Sequence, residues 1–132
     1  MNLSNSKNLG RHFLVDFLFC NVQVINNMEK IRTHLLKAAN LAQATVIKDT
    51  FHKFSPQGIS GVIVIAESHL AIHTWPEHEC VALDLFTCSE KMEAQKAIDY
   101  LEKAFEAKKT SVQVVLRCQN YCPEAMDTPS EG

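Results

Sequence analysis

The chain has 132 residues and a formal charge of −2 with its basic residues dispersed, which excludes the electrostatic footprint of a nucleic-acid binder. No apolar run approaches the ~18 residues of a membrane span, and Met1 to Asn8 is Asn/Ser/Lys-rich without the apolar centre of a secretory signal. Five cysteines (Cys20, Cys80, Cys88, Cys118, Cys122) are an odd number in a chain that can bury about two thirds of its unfolded surface, which favours reduced thiols and a cytoplasmic location over a disulfide framework.

Taken in order, His12 to Cys20 reads as a strand, with Phe13, Val15, Phe17 and Phe19 alternating against Leu14, Asp16 and Leu18. Both faces are mostly apolar, so the strand belongs inside a sheet or against a second chain. Asn21 is a candidate N-cap. Between Val24 and Ala44, Met28, Ile31, Leu35, Ala38 and Ala42 fall at helical spacing. Thr45 to Phe54 returns to strand character, and Ser55 to Gly58 is a turn by composition. Two strands follow, meeting near Glu67 and Ser68, then a polar loop from Pro76 to Glu79. From Val81 to Cys88 the alternation is again that of a strand. Ser89 is expected to cap a second helix, with Glu90 and Glu93 in its first turn and Ala94, Ile98, Leu101 and Phe105 as its apolar stripe. Val112 to Cys118 is a final strand, and residues 119–132 are polar enough to form a loose tail. The order predicts a single-domain α+β two-layer sandwich, a mostly antiparallel sheet with two helices on one face.

The stretch Ser60 to Trp75 organises the rest. An apolar run, Val62 to Ala66, is broken by Glu67-Ser68-His69 and resumes from Leu70 to Trp75 around His73. Polarity between two core strands marks a turn or a site, because a buried polar group without a hydrogen bond costs free energy. Each residue has an ordinary reading. Ser68 suits a turn, and the Gly-x-Ser-x-Gly elbow of hydrolases is absent. His73 among Leu70, Ile72 and Trp75 suits a core, though a neutral imidazole also removes protons near pH 7. Cys88 suits a small buried hydrophobe. His69 and His73 have the i,i+4 spacing of a zinc helix, but in a strand they stand ~13 Å apart, and Cys118 and Cys122 have no second pair, so no metal is expected.

The string Ser60-Gly-Val-Ile-Val-Ile-Ala-Glu-Ser-His-Leu-Ala-Ile-His-Thr-Trp-Pro-Glu77, with Ala82-Leu-Asp-Leu-Phe-Thr-Cys88, Gly10-Arg-His12 and Thr50-Phe-His-Lys-Phe54, resembles the prokaryotic S-adenosylmethionine decarboxylase proenzymes. The likeness runs from residue 10 to about 110. It implies self-cleavage at Glu67-Ser68 into 1–67 (beta chain) and 68–132 (alpha chain), with Ser68 converted into a pyruvoyl group that forms a Schiff base with the substrate amine. It assigns His73 as proton acceptor in processing with Ser60 assisting, and Cys88 as proton donor in decarboxylation. His73 is expected across a hairpin from Ser68. Phe54, Glu77 and Trp75 become substrate contacts, since aromatic faces stack adenine and attract a sulfonium, and a carboxylate can hold a ribose diol. His12 and His69 match family positions without a role.

The resemblance therefore implies a carboxy-lyase that makes decarboxylated S-adenosylmethionine, the aminopropyl donor for spermidine, as a homodimer of two alpha and two beta chains. Two departures stand out. His78-Glu79-Cys80 replaces Gly-Tyr-Ala, and Ser89 replaces glycine. One alternative is an arginine or ornithine decarboxylase on the same scaffold. A second is a silent regulatory paralogue, against which Ser60, Ser68, His73 and Cys88 are all present.

Overall fold

The computed structural model describes residues 9–119. The elements are β1 (Gly10–Leu18), α1 (Val22–Ile25), α2 (Met28–Leu41), β2 (Val46–Lys53), β3 (Ile59–Ile65), β4 (Ser68–Trp75), a single 3-10 turn (Pro76–His78), β5 (Cys80–Thr87), α3 (Ala94–Ala104) and β6 (Lys109–Arg117). The strands form one sheet in the order β2-β3-β4-β5-β1-β6, and every neighbouring pair is antiparallel. β2 to β5 are therefore a meander, while β1 is inserted between β5 and β6.

Period-two alternation decides which face is covered. Phe13, Val15 and Phe17 of β1, Ile59, Ile63 and Ile65 of β3, Leu70 and Ile72 of β4, and Val81, Leu83 and Leu85 of β5 are buried. They share a core with Ile31, Leu35 and Ala38 of α2 and with Ile98 and Leu101 of α3. Each fully buried Leu or Ile is worth about 1.5–3 kcal/mol relative to exposure. The opposite face carries Leu14, Asp16, Val62, His73, Asp84 and Phe86, and among the described residues no helix lies over it. Gly61 sits where the Phe51 ring of β2 lies across it, and a Cβ there would collide with that ring.

The two-layer α+β expectation is met, with two refinements. Every strand pair is antiparallel, and a third helix, the single turn α1, precedes α2. Asn21 does cap, but it caps α1, accepting from the Gln23 amide at 2.9 Å, while Asn27 caps α2 by accepting from Lys30 at 3.0 Å. β1 runs two residues earlier than expected, because Phe19 takes a left-handed φ of 59° and ends the strand.

Ser89 does not cap α3, which begins five residues later behind Glu93. Its hydroxyl instead accepts from the Lys91 amide at 3.1 Å and closes a turn. Glu90 consequently lies outside the helix. The expectations for the tail beyond residue 119, including Cys122, and for Met1 to Asn8 lie outside the described residues. Among the described residues no helix is long and apolar enough to cross a membrane.

Candidate active site

β3 and β4 form a hairpin in which Ile65 pairs with Ser68 and Ala66-Glu67 make the connection. Ser68 opens β4 with a φ of 156°, a positive value that side chains rarely adopt, and such positions hold about 1–3 kcal/mol of strain. Across β4 and β5, Ser68 pairs with Thr87, so the residue just beyond β5 reaches the hairpin turn. That residue is Cys88. Its amide donates to the Glu67 carbonyl oxygen at 3.0 Å, and its exposed thiol donates to the same oxygen at 3.1 Å. The carbonyl that joins Glu67 to Ser68 is thus polarised by two donors. Sequence patterns named Cys88 but gave no hint that its backbone would take part.

A second group gathers at the far end of the same strands. Ser60 of β3 pairs with His73 of β4, and Ser60 Oγ lies 3.3 Å from His73 Nδ1. The His73 ring stands 4.2 Å from that of Trp75 and 6.1 Å from that of Phe54, centroid to centroid. Trp75 and Phe54 are both exposed. Glu77 follows in the 3-10 turn after β4. His73 therefore faces Ser60 across the hairpin and not Ser68, contrary to the sequence expectation. Ser68 and His73 share β4, and five residues at about 3.3 Å each put them roughly 16 Å apart. The structure brings together Glu67, Ser68 and Cys88 at one end and Phe54, Ser60, His73 and Trp75 at the other, with Glu77 in the turn two residues beyond Trp75.

Between the two ends, the uncovered face holds a histidine pair. His12 Nε2 lies 3.7 Å from Asp84 Oδ2, too far for a hydrogen bond, and this buried nitrogen has no other partner among the described residues. The Arg117 guanidinium meets His12 Nδ1 at 3.1 Å, and the His69 ring lies 6.3 Å away. Burial holds His69 below the ordinary histidine pKa, the neighbouring His12 adds to this, and Asp84 opposes it. Cys20, by contrast, is pushed up to about 12, by burial first and then by Cys80 and Glu79. A thiol at that value stays protonated and inert. Among the described residues no group of three or more His, Cys, Asp or Glu is placed to hold a metal ion.

One antiparallel sheet, with the described helices all on one face, and a doubly polarised peptide bond leading into Ser68 at a hairpin turn define a two-layer α+β protein with a thiol and an activated carbonyl in one place. The sequence profile of S-adenosylmethionine decarboxylase matches residues 11–118. The S-adenosylmethionine decarboxylase proenzyme of Thermotoga petrophila is 47% identical over 106 residues, 80% of this chain and 82% of its own length. That of Pelotomaculum thermopropionicum is 47% identical over 111 residues, 84% of this chain and 88% of its own. The crystal structure of the adenosylmethionine decarboxylase from Aquifex aeolicus matches at a TM-score of 0.78 and 37% identity, covering 84% of this chain and 92% of that one. The chain belongs to the S-adenosylmethionine decarboxylase family.

Proposed function

We propose that the chain is a cytoplasmic carboxy-lyase that cleaves itself at Glu67-Ser68 and then decarboxylates S-adenosylmethionine, supplying the aminopropyl donor for spermidine. The observation that carries this reading is the Glu67 carbonyl, which forms the peptide bond to Ser68 and is held at 3.0 and 3.1 Å by the Cys88 amide and thiol. Attack by Ser68 Oγ on the Glu67 carbonyl carbon pushes an electron pair onto that oxygen. Two donors already aimed at it stabilise the charge as it develops. Collapse breaks the amide C–N bond, the nitrogen leaves as the amine of residue 68, and Glu67 is joined to Oγ as an ester. Removing the Cα proton of residue 68 then breaks the Cβ–Oγ bond. Glu67 departs as a carboxylate, and the dehydroalanine left behind takes up water and loses ammonia, giving the pyruvoyl group.

The residues fit such a group. Position 68 is a serine at the mouth of a hairpin, with an exposed thiol at its flank. When present, the pyruvoyl group supplies a carbonyl that takes the substrate amine and draws off the electrons released with CO2. Cys88 can then deliver a proton to the substrate α-carbon, since a thiol gives up its proton more readily than an alcohol.

His73 cannot take the proton within its own chain, because roughly 16 Å of β4 separates it from Ser68. A homodimer resolves this. If two uncovered sheet faces stack about a twofold axis lying between them and across the strands, the Ser68 end of one chain meets the His73 end of the other. Each site then combines Ser68 and Cys88 of one protomer with Phe54, Ser60, His73, Trp75 and Glu77 of its partner. The same stacking hides the apolar part of a sheet face over which no described helix lies. Phe54 and Trp75 supply aromatic faces for adenine and the sulfonium, and Glu77 an acceptor for ribose.

The choice of S-adenosylmethionine over arginine or ornithine is supported by the name borne by every relative given above. Release of CO2 from carboxyl-labelled S-adenosylmethionine, arginine and ornithine tests it. Turnover of S-adenosylmethionine alone is expected, and turnover of either amino acid in its place would transfer the activity to that substrate.

A further inference from the structure

Thr87 is one of two polar residues buried to the last per cent, 1% exposed, among the described residues. Its hydroxyl does not reach across the core. It folds back on its own chain, accepting from the Ser89 amide at 3.0 Å and donating to the Ser89 carbonyl at 3.3 Å. The Arg11 guanidinium reaches the same carbonyl at 3.4 Å from the neighbouring β1. Thr87 is itself fixed from both sides, paired with Ser68 on β4 and with Arg11 on β1. Cys88 is thus the single residue between a strand end held in the sheet and a peptide held by a buried hydroxyl. It makes no ladder bond of its own, and its amide and thiol both go to Glu67.

We infer that Thr87 is a positioning residue for self-cleavage: its hydroxyl sets the turn that aims the Cys88 amide and thiol at the Glu67 carbonyl. This rests on the self-cleavage reading and deepens it. Without the hydroxyl, the Ser89 peptide loses a partner and the turn is free to rotate Cys88 away from the oxygen. A displaced donor no longer meets the charge where it develops, and loss of one such donor slows related reactions by about 100- to 1000-fold. The chemistry by which the bond breaks is unchanged, because Ser68 still attacks and the amine of residue 68 still leaves.

The test uses the full chain and two variants. Thr87→Val has the same shape without the oxygen, and Thr87→Ser keeps the oxygen without the methyl. Freshly made protein is followed by denaturing electrophoresis as one chain becomes two. Thr87→Val is expected to cleave at least about tenfold more slowly than the parent, and Thr87→Ser within about twofold of it.

A second readout separates aiming from stability. In the uncleavable Ser68→Ala background, Thr87→Val should speed hydrogen exchange of the Cys88 amide while leaving that of Leu83 and Leu85 unchanged. If Thr87→Val does not fold, Thr87→Ala, smaller and equally without oxygen, is read in the same two ways. A folded variant lacking the hydroxyl that cleaves at the parental rate, with the Cys88 amide still protected, would overturn the role of Thr87. A parent chain that never cleaves would instead overturn the self-cleavage reading beneath it.

Discussion

The separation of Ser68 from His73 makes a quantitative demand on the dimer. Suppose Ser68→Ala and His73→Ala chains are produced together. Neither homodimer can process, since one lacks the nucleophile everywhere and the other lacks the base everywhere. In the mixed dimer, one site draws Ser68 from the His73→Ala chain and His73 from the Ser68→Ala chain, and is complete. The other site has lost both. Random association makes about half of the dimers mixed, each with one working site, so about a quarter of all sites should function. Densitometry of the processed fragments and CO2 release should therefore both recover to about a quarter of the parental level, from a background near zero in either variant alone. If sites were built within one chain, co-production would rescue nothing. Absence of rescue in a sample that demonstrably contains mixed dimers would refute the shared site.

Cys88→Ser keeps the backbone donor and replaces the thiol with another hydroxyl donor, so self-cleavage should proceed within about an order of magnitude of the parent. Decarboxylation should fall much further, because an alcohol is a far weaker acid than a thiol, and parallel assays of the two steps check this. Phe54→Ala should raise KM for S-adenosylmethionine while leaving self-cleavage nearly untouched, as read by steady-state kinetics and electrophoresis. His34 and His69 are both held below the ordinary histidine pKa, burial being the larger cause in each. The unfolded chain therefore takes up these protons first, so the stability concerned is complete above about pH 6.5 and declines as pH falls from there. A thermal melt at about pH 5.5 should accordingly lie below one at about pH 7.5, and His34→Gln should shrink the difference.

The strands and α2 were legible because their alternation and helical spacing are local. Val81, Leu83, Leu85 and Thr87 are buried on the face their spacing gave them. The two-layer fold followed from element order, and Glu67-Ser68 does stand at the junction of two strands. What stayed hidden depends on which strands meet. The insertion of β1 between β5 and β6 leaves no local mark, yet it brings Arg11 to Ser89. The location of His73 is not legible in its spacing from Ser68, because the hairpin register decides what it faces. Ser89 was misread because a serine before two glutamates looks the same whether it caps a helix or an isolated turn. Thr87 carries no local mark beside Cys88, because a threonine hydroxyl forms side-chain turns only weakly and the residue continues the alternation of its strand.

The most direct measurement is the intact mass of the purified protein under denaturing conditions. Self-cleavage at Glu67-Ser68 predicts two species, residues 1–67 ending in an ordinary carboxylate and residues 68–132 lighter than a serine-started fragment by one ammonia and resistant to Edman degradation. Ser68→Ala should give one full-length mass. A wild-type chain that keeps the mass of all 132 residues after prolonged incubation would contradict self-cleavage and the pyruvoyl chemistry that depends on it.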